Sequence, residues 1–213
     1  MQDSKSGKVP IPVGVNLSTE QCPKTQEEGE DMSHVPYASA VGGLMYAMVY
    51  TRPDIAHAMG VLSRFMSKLG KEHWTTVKRV FSYLYGTSDY GLCFQGRPGL
   101  DKVLDIYGFV DAYSAGYIDQ RRSTSGYLFN LFGGALNWMS KKQSIVALST
   151  IEAKYMTATH ASNEAVWLQR LCSSMGLVQG AIRIYCDSQS AIFWQRTLLT
   201  IQRQSTLMFS ITL

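Results

Sequence analysis

The sequence predicts a helical N-terminal stretch followed by an α/β or α+β domain, and three observations carry this. Apolar residues between Tyr37 and Gly86 recur at three- and four-residue spacing, the signature of amphipathic helices. Three strand-like runs follow, 103–112, 126–132 and 135–140, the last two separated by Gly133-Gly134, a two-residue hairpin signal. A long helical stretch, 149–175, then stops at Gly176, a C-terminal cap. Beyond it come a short strand, 182–186, and a further helix beginning at 188–193.

The first 32 residues are polar, with Pro10, Pro12 and Pro23 and an acidic run at Glu27, Glu28, Glu30 and Asp31. Prolines with a charge run and little periodicity mark solvated loop, so residues 1–34 read as a flexible polar segment. Three apolar stripes follow: Val41, Leu44, Met45 and Met48, then Ile55, Met59, Leu62 and Phe65, then Trp74, Val77, Val80 and Phe81. Thr51-Arg52-Pro53-Asp54 separates the first two, because proline lacks an amide donor and pushes its neighbour out of the helical region. Gly91, Gly96, Pro98 and Gly99 then mark a link into the strand-rich part.

Composition narrows the class of function. With 46% hydrophobic and 17% charged residues the chain is globular, and a net charge of +4 permits nucleic-acid contact without demanding it. Cys22, Cys93, Cys172 and Cys186 lie far apart with no C-x-x-C pair, which speaks for reduced thiols and against a zinc site. No run approaches the ~18 apolar residues of a membrane span, so the expectation is a soluble, intracellular protein.

Several strings are longer than chance allows. Gly108-Phe109-Val110-Asp111-Ala112, Arg122-Ser123-Thr124-Ser125-Gly126-Tyr127, Ser149-Thr150-Ile151-Glu152-Ala153 and Tyr185-Cys186-Asp187-Ser188-Gln189-Ser190-Ala191 together resemble the ribonuclease H domain of Ty1/copia-type retrotransposon Pol polyproteins. Val35-Pro36-Tyr37-Ala38-Ser39-Ala40-Val41-Gly42 and Tyr50-Thr51-Arg52-Pro53-Asp54-Ile55 resemble the end of the family's reverse transcriptase. The resemblance implies a thumb and connection remnant over 35–100 and a truncated ribonuclease H-like domain over 101–193. It implies a mixed sheet with flanking helices, the fourth strand parallel to the first. The polymerase's Tyr-x-Asp-Asp turn is not in this sequence, which excludes nucleotide addition by the chain as written.

The implied reaction is cleavage of RNA in an RNA–DNA hybrid, with Mg²⁺ or Mn²⁺ as cofactor. Two ions about 4 Å apart would support the attacking and departing oxygens, held by carboxylates from separate elements. Asp111 stands at the family's first catalytic aspartate. Asp187 stands at the one that ends the fourth strand, where it also reads as a helix N-cap. Both are the candidate metal ligands. Arg122, Ser123, Thr124 and Ser125 read as phosphate contacts or as a polar turn before a strand, and Gln189 joins them by resemblance.

The pattern breaks at the helix start. The family's catalytic glutamate position is occupied by Lys154, and Glu152, the fallback ligand, has capping-box spacing from Ser149. Two helical positions turn a side chain through roughly 200°, which takes Glu152 away from the place the glutamate would fill. The expectation is impaired metal binding and an inactive copy.

A second break lies in the tail. Residues 194–213 follow no clear period and leave the family, yet their possible codons, read one base earlier, permit family-like sequence. Phe193-Trp194-Gln195 then encodes Leu followed by Ala, and Met208-Phe209 forces Val within a Thr-Lys-His-Ile-Asp-Val-Gln-Tyr-His motif. The tail reads as an out-of-frame translation, with the family's last catalytic aspartate not reached. Genomic DNA across codons 192–213 should therefore spell that motif one base out of register. A sequence that does not spell it gives the tail another origin.

Overall fold

The computed structural model describes residues 7–96, 103–117, 119–188 and 210–212. The chain divides into two units, Met1–Leu92 and Cys93–Leu213. The first contains helices α1 (Gln26–Ser33), α2 (Tyr37–Tyr50), α3 (Ala56–Leu62) and α4 (Lys71–Gly86), with 3₁₀ turns at Thr19–Gln21, Pro53–Ile55 and Ser63–Phe65. The apolar stripes converge: Val41 and Leu44 of α2, Ile55, Met59 and Leu62, and Val77 and Val80 of α4 are buried in one core. Tyr37 joins it and donates its hydroxyl to the Leu62 carbonyl at 2.8 Å. His73, fully buried, stacks on Phe65 at 3.9 Å and accepts the Gly70 amide on Nδ1 at 2.8 Å.

Helix α1 corrects the reading of residues 1–34 as loop throughout. Thr25 Oγ1 accepts the Glu28 amide at 3.2 Å, and the Glu28 carboxylate accepts the Lys24 amide at 2.9 Å. Threonine followed three residues later by glutamate was the visible signal, and Glu27 and Glu28 in the first turn complement the helix dipole. Backbone hydrogen bonds from the Lys24 and Thr25 amides hold the Glu28 carboxyl below its ordinary range.

The second unit is a mixed α/β layer. Strands β2 (Ile106–Tyr117), β3 (Arg122–Leu131), β4 (Gly134–Lys142), β6 (Arg183–Cys186) and β7 (Ser210–Thr212) form one sheet in the order β4-β3-β2-β6-β7. β2 and β3 are antiparallel, as are β3 and β4, while β6 runs parallel to β2 and β7 parallel to β6. A separate two-residue parallel ladder joins β1 (Val103–Leu104) to β5 (Val178–Gln179), so the expected strand 103–112 is split. Its second part runs five residues further, to Tyr117. Helix α5 (Thr150–Ser174) lies on one face of the sheet, burying Ala161, Ala165, Leu168 and Cys172 against Ile106, Val110, Phe129 and Ile184. None of the four cysteines is in a disulfide. Among the described residues, no helix is long and apolar enough to cross a membrane.

Two boundaries differ from the expected ones. The β3–β4 turn is Phe132-Gly133, both at positive φ, and not Gly133-Gly134. Gly134 instead begins β4 beneath Phe94, where a Cβ would stand 2.6 Å from the ring. The Gln95 amide donates to the Phe132 carbonyl at 2.9 Å. These contacts attach residues 93–96 to the sheet, so the second unit begins about eight residues before the expected 101. The expected helix at 188–193 and most of the tail lie outside the described residues; within the tail, Ser210–Thr212 pair as strand.

The turn Thr51-Arg52-Pro53-Asp54 is a clamp within the first unit. Arg52, 8% exposed, forks onto Asp54, with Nη2–Oδ2 at 2.7 Å and Nε–Oδ1 at 3.0 Å. Its Nη1 donates to the Thr87 carbonyl at 3.0 Å, and the guanidinium lies over the Tyr83 and Tyr90 rings. Tyr83 donates its hydroxyl to Asp54 at 2.8 Å. Partial burial raises the Asp54 carboxyl, but hydrogen bonds from Arg52 and Tyr83 outweigh it and hold the group below its ordinary value. Such a carboxylate stabilises the fold above its unfolded pKa of about 3.9, and the contribution disappears as pH falls through the lower folded value. Arg52→Met should cost the first unit about 3 kcal/mol in urea melts at pH 7, because it leaves Asp54 without its cation. The difference from wild type should shrink as pH falls below the unfolded carboxylate value of about 3.9; an equal urea midpoint for both proteins at pH 7 would dismiss the clamp.

Candidate functional site

Strand β2 alternates, with Val110 and Ala112 buried and Phe109, Asp111 and Tyr113 exposed. The parallel register pairs Val110 with Cys186 at the end of β6. One residue beyond that pair on each strand stand Asp111 and Asp187, so adjacent parallel strands bring two carboxylates, 76 positions apart, to one end of the sheet. The first turn of α5 supplies the third group. Lys154 Nζ donates to Asp187 Oδ1 at 2.6 Å and Oδ2 at 2.5 Å, and lies 3.5 Å from Asp111 Oδ1. Hydrogen bonding to Asp187 raises the Lys154 pKa above its ordinary range; burial opposes this, and the charges of Asp187 and Asp111 reinforce it. The cluster is one ammonium on two carboxylates, with one net negative charge.

Glu152 is engaged elsewhere. Its amide donates to Ser149 Oγ at 3.1 Å, and its Oε2 accepts the Leu148 amide at 2.6 Å. The carboxylate therefore closes the N-terminus of α5, one residue further out than a capping box in which the N-cap amide is the donor.

Two hydroxyls of the Arg122–Ser125 run, those of Ser123 and Ser125, are engaged within the unit. Ser123, Thr124 and Ser125 are all buried at the start of β3. Ser123 Oγ accepts the Ala115 amide at 3.1 Å. Ser125 Oγ accepts from Gln143 Nε2 at 2.9 Å and from Thr157 Oγ1 at 2.7 Å, beneath α5. Gln143 also donates to the Ala153 carbonyl at 2.9 Å. A hydroxyl enclosed in this way cannot meet a phosphate oxygen, so it ties β3 to α5 and holds the helix start that carries Lys154. The same run leaves Arg121 exposed and Arg122 half-buried, and β3 pairs Thr124 and Ser125 with Lys142 and Lys141 of β4. Lys142 lies over the Tyr117 ring at 4.6 Å. Gln189 lies outside the described residues. The network partners Gln143 and Thr157 were not visible as such. Thr157, a polar residue on the apolar stripe of α5 four positions after Ala153, was the one available signal.

These residues do not fit the divalent ion that the resemblance implies. Mg²⁺ needs carboxylate oxygens with lone pairs directed at it. Both oxygens of Asp187 instead accept from an ammonium, and Asp111 has the same cation as its neighbour. Among the described residues, no three acidic, histidine or cysteine side chains gather into a metal-binding group.

Ser125→Ala leaves one Gln143 amide hydrogen short of an acceptor inside the unit, while Thr157 keeps the Ala153 carbonyl, and should cost about 1–3 kcal/mol. Urea melts should show that loss, and an unchanged urea midpoint would dismiss the tie.

No family model matches the chain. It is 52% identical over 192 residues to the retrovirus-related Pol polyprotein from transposon TNT 1-94 of Nicotiana tabacum, covering 90% of this chain and 14% of that protein. It is 35% identical over 158 residues to the retrovirus-related Pol polyprotein from transposon RE2 of Arabidopsis thaliana, covering 74% of this chain and 10% of that one. A third relative, the secreted RxLR effector protein 161 of Plasmopara viticola, is 54% identical over 137 residues, covering 64% of this chain and 94% of its own length. The chain thus spans about a tenth to a seventh of the two Pol polyproteins it matches. It belongs to the Ty1/copia-type retrotransposon Pol polyproteins and is a degenerate copy of one stretch of them.

Proposed function

We propose that the second unit is a ribonuclease H-like domain, ancestrally a Mg²⁺- or Mn²⁺-dependent endonuclease for RNA in RNA–DNA hybrids, and that this copy does not cleave. The first unit, on this reading, is the remnant of the reverse transcriptase's thumb and connection. The strand order β4-β3-β2-β6-β7, with β6 parallel to β2 and α5 between them in sequence, supports the assignment. The observation that carries the loss of cleavage is the contact of Lys154 with Asp187 and Asp111. A metal bound there would polarise the phosphate and supply an activated water. In this chain the charged group directed at the carboxylates is the Lys154 ammonium. What remains is association with a nucleic-acid backbone through basic side chains of β3, β4 and the turn before β3, Arg121, Arg122, Lys141 and Lys142. Such contacts weaken as salt rises, because each one releases condensed counterions.

Purified protein should give no cleavage of a labelled RNA–DNA hybrid in Mg²⁺ or Mn²⁺, while retaining hybrid binding that falls with added salt. Lys154→Glu alone should restore little turnover. Cleavage by the unmodified chain that Asp111→Asn abolishes would refute the reading.

A further inference from the structure

We propose that Lys154 is a resident internal cation that has taken the place of the divalent ion, so that this end of the sheet is held together without metal and is closed to it. The ammonium touches three segments that are distant in sequence: its own helix start, the β2 aspartate and the residue after β6. A divalent ion at a carboxylate cluster also bridges separate elements and cancels their mutual repulsion. Lysine does this with one charge and three donors, two of which reach Asp187 while the ammonium stays 3.5 Å from Asp111. Its side chain is 20% exposed although it ends in a charge, so the stem is packed while the head reaches its partners. The groups it joins are open to solvent, with Asp111 and Asp187 side chains 75% and 64% exposed. An ion could therefore reach both carboxylates, and the ammonium, not enclosure, keeps it out. The proposal takes from the functional reading only that Asp111 and Asp187 stand at ligand positions, and a metal titration fails or succeeds independently of any cleavage assay.

The test is Mn²⁺ binding by the full chain, followed by electron paramagnetic resonance, with thermal unfolding in Mg²⁺ or EDTA alongside. Wild type should bind no Mn²⁺ at this site at concentrations on the order of 1 mM. Its melting temperature should be the same in Mg²⁺ and EDTA. Lys154→Met removes the cation and leaves two carboxylates facing each other. That variant should bind Mn²⁺ at least tenfold more tightly than wild type and gain on the order of 3 °C in saturating Mg²⁺. The double variant Lys154→Met/Asp187→Asn should lose both effects. Equal Mn²⁺ affinity in wild type and Lys154→Met overturns the proposal, as does a folded Lys154→Met protein with no gain in affinity. Should Lys154→Met fail to fold, wild type decides alone. Sub-millimolar Mn²⁺ binding that Asp187→Asn abolishes refutes the proposal, and its absence upholds it.

Discussion

The close seating of α5 on the sheet is the constraint from which the second unit's other features follow. Ala153, Thr157, Ala161 and Ala165 recur every four residues and are fully buried, with Leu168 and Cys172 continuing the contact. Small side chains let the helix axis approach the strands. Gly108 gives the same allowance from below, since a Cβ there would stand 2.5 Å from the Phe129 ring. Close packing of this kind leaves little freedom for translation along the helix. Lys154 therefore has little choice of position: as the residue after Ala153, it emerges at the rim of the contact, beside the ends of β2 and β6. The Ser125–Thr157–Gln143 hydrogen bonds fasten the same turn from inside, and Ser149 and Glu152 complete its N-terminus.

What could be read before the structure, and what could not, divides by whether the cause is local. Helix α5 carried its own signals, a serine three residues before a glutamate and a glycine after its last turn, and its limits agree with the expectation to within a residue. The capping signal at Thr25 and Glu28 was of the same kind but lay within an acidic run whose composition argued for loop. The hairpin turn moved by one residue because of Phe94, roughly forty positions upstream of Gly134, which no local pattern reports. At Ser123–Ser125 the sequence left phosphate contact and a polar turn both open, because the groups that receive the Ser125 hydroxyl, Gln143 and Thr157, come 18 and 32 positions later. The family's register identified Lys154 as occupying a carboxylate position. It did not say that the side chain would turn back onto both remaining aspartates, which depends on β6 lying parallel to β2.

On the proposed reading, the exchange of a carboxylate for an ammonium at this position changes the folding problem as well as the chemistry. A cluster of three carboxylates repels itself, by about 4 kcal/mol for each pair of unit charges at 4 Å and an effective dielectric near 20. A fold that carries such a cluster is strained until an ion arrives, and its stability then depends on the ion's concentration. One lysine in place of one carboxylate turns two of those repulsions into attractions and removes the dependence. Functional sites commonly retain local conflicts that cost stability, and a copy no longer selected for catalysis is released from that requirement. On the proposed reading Lys154 is a substitution of this kind: it takes the place of a ligand on which the ancestral chemistry relied and, with the same side chain, offsets the repulsion between Asp111 and Asp187.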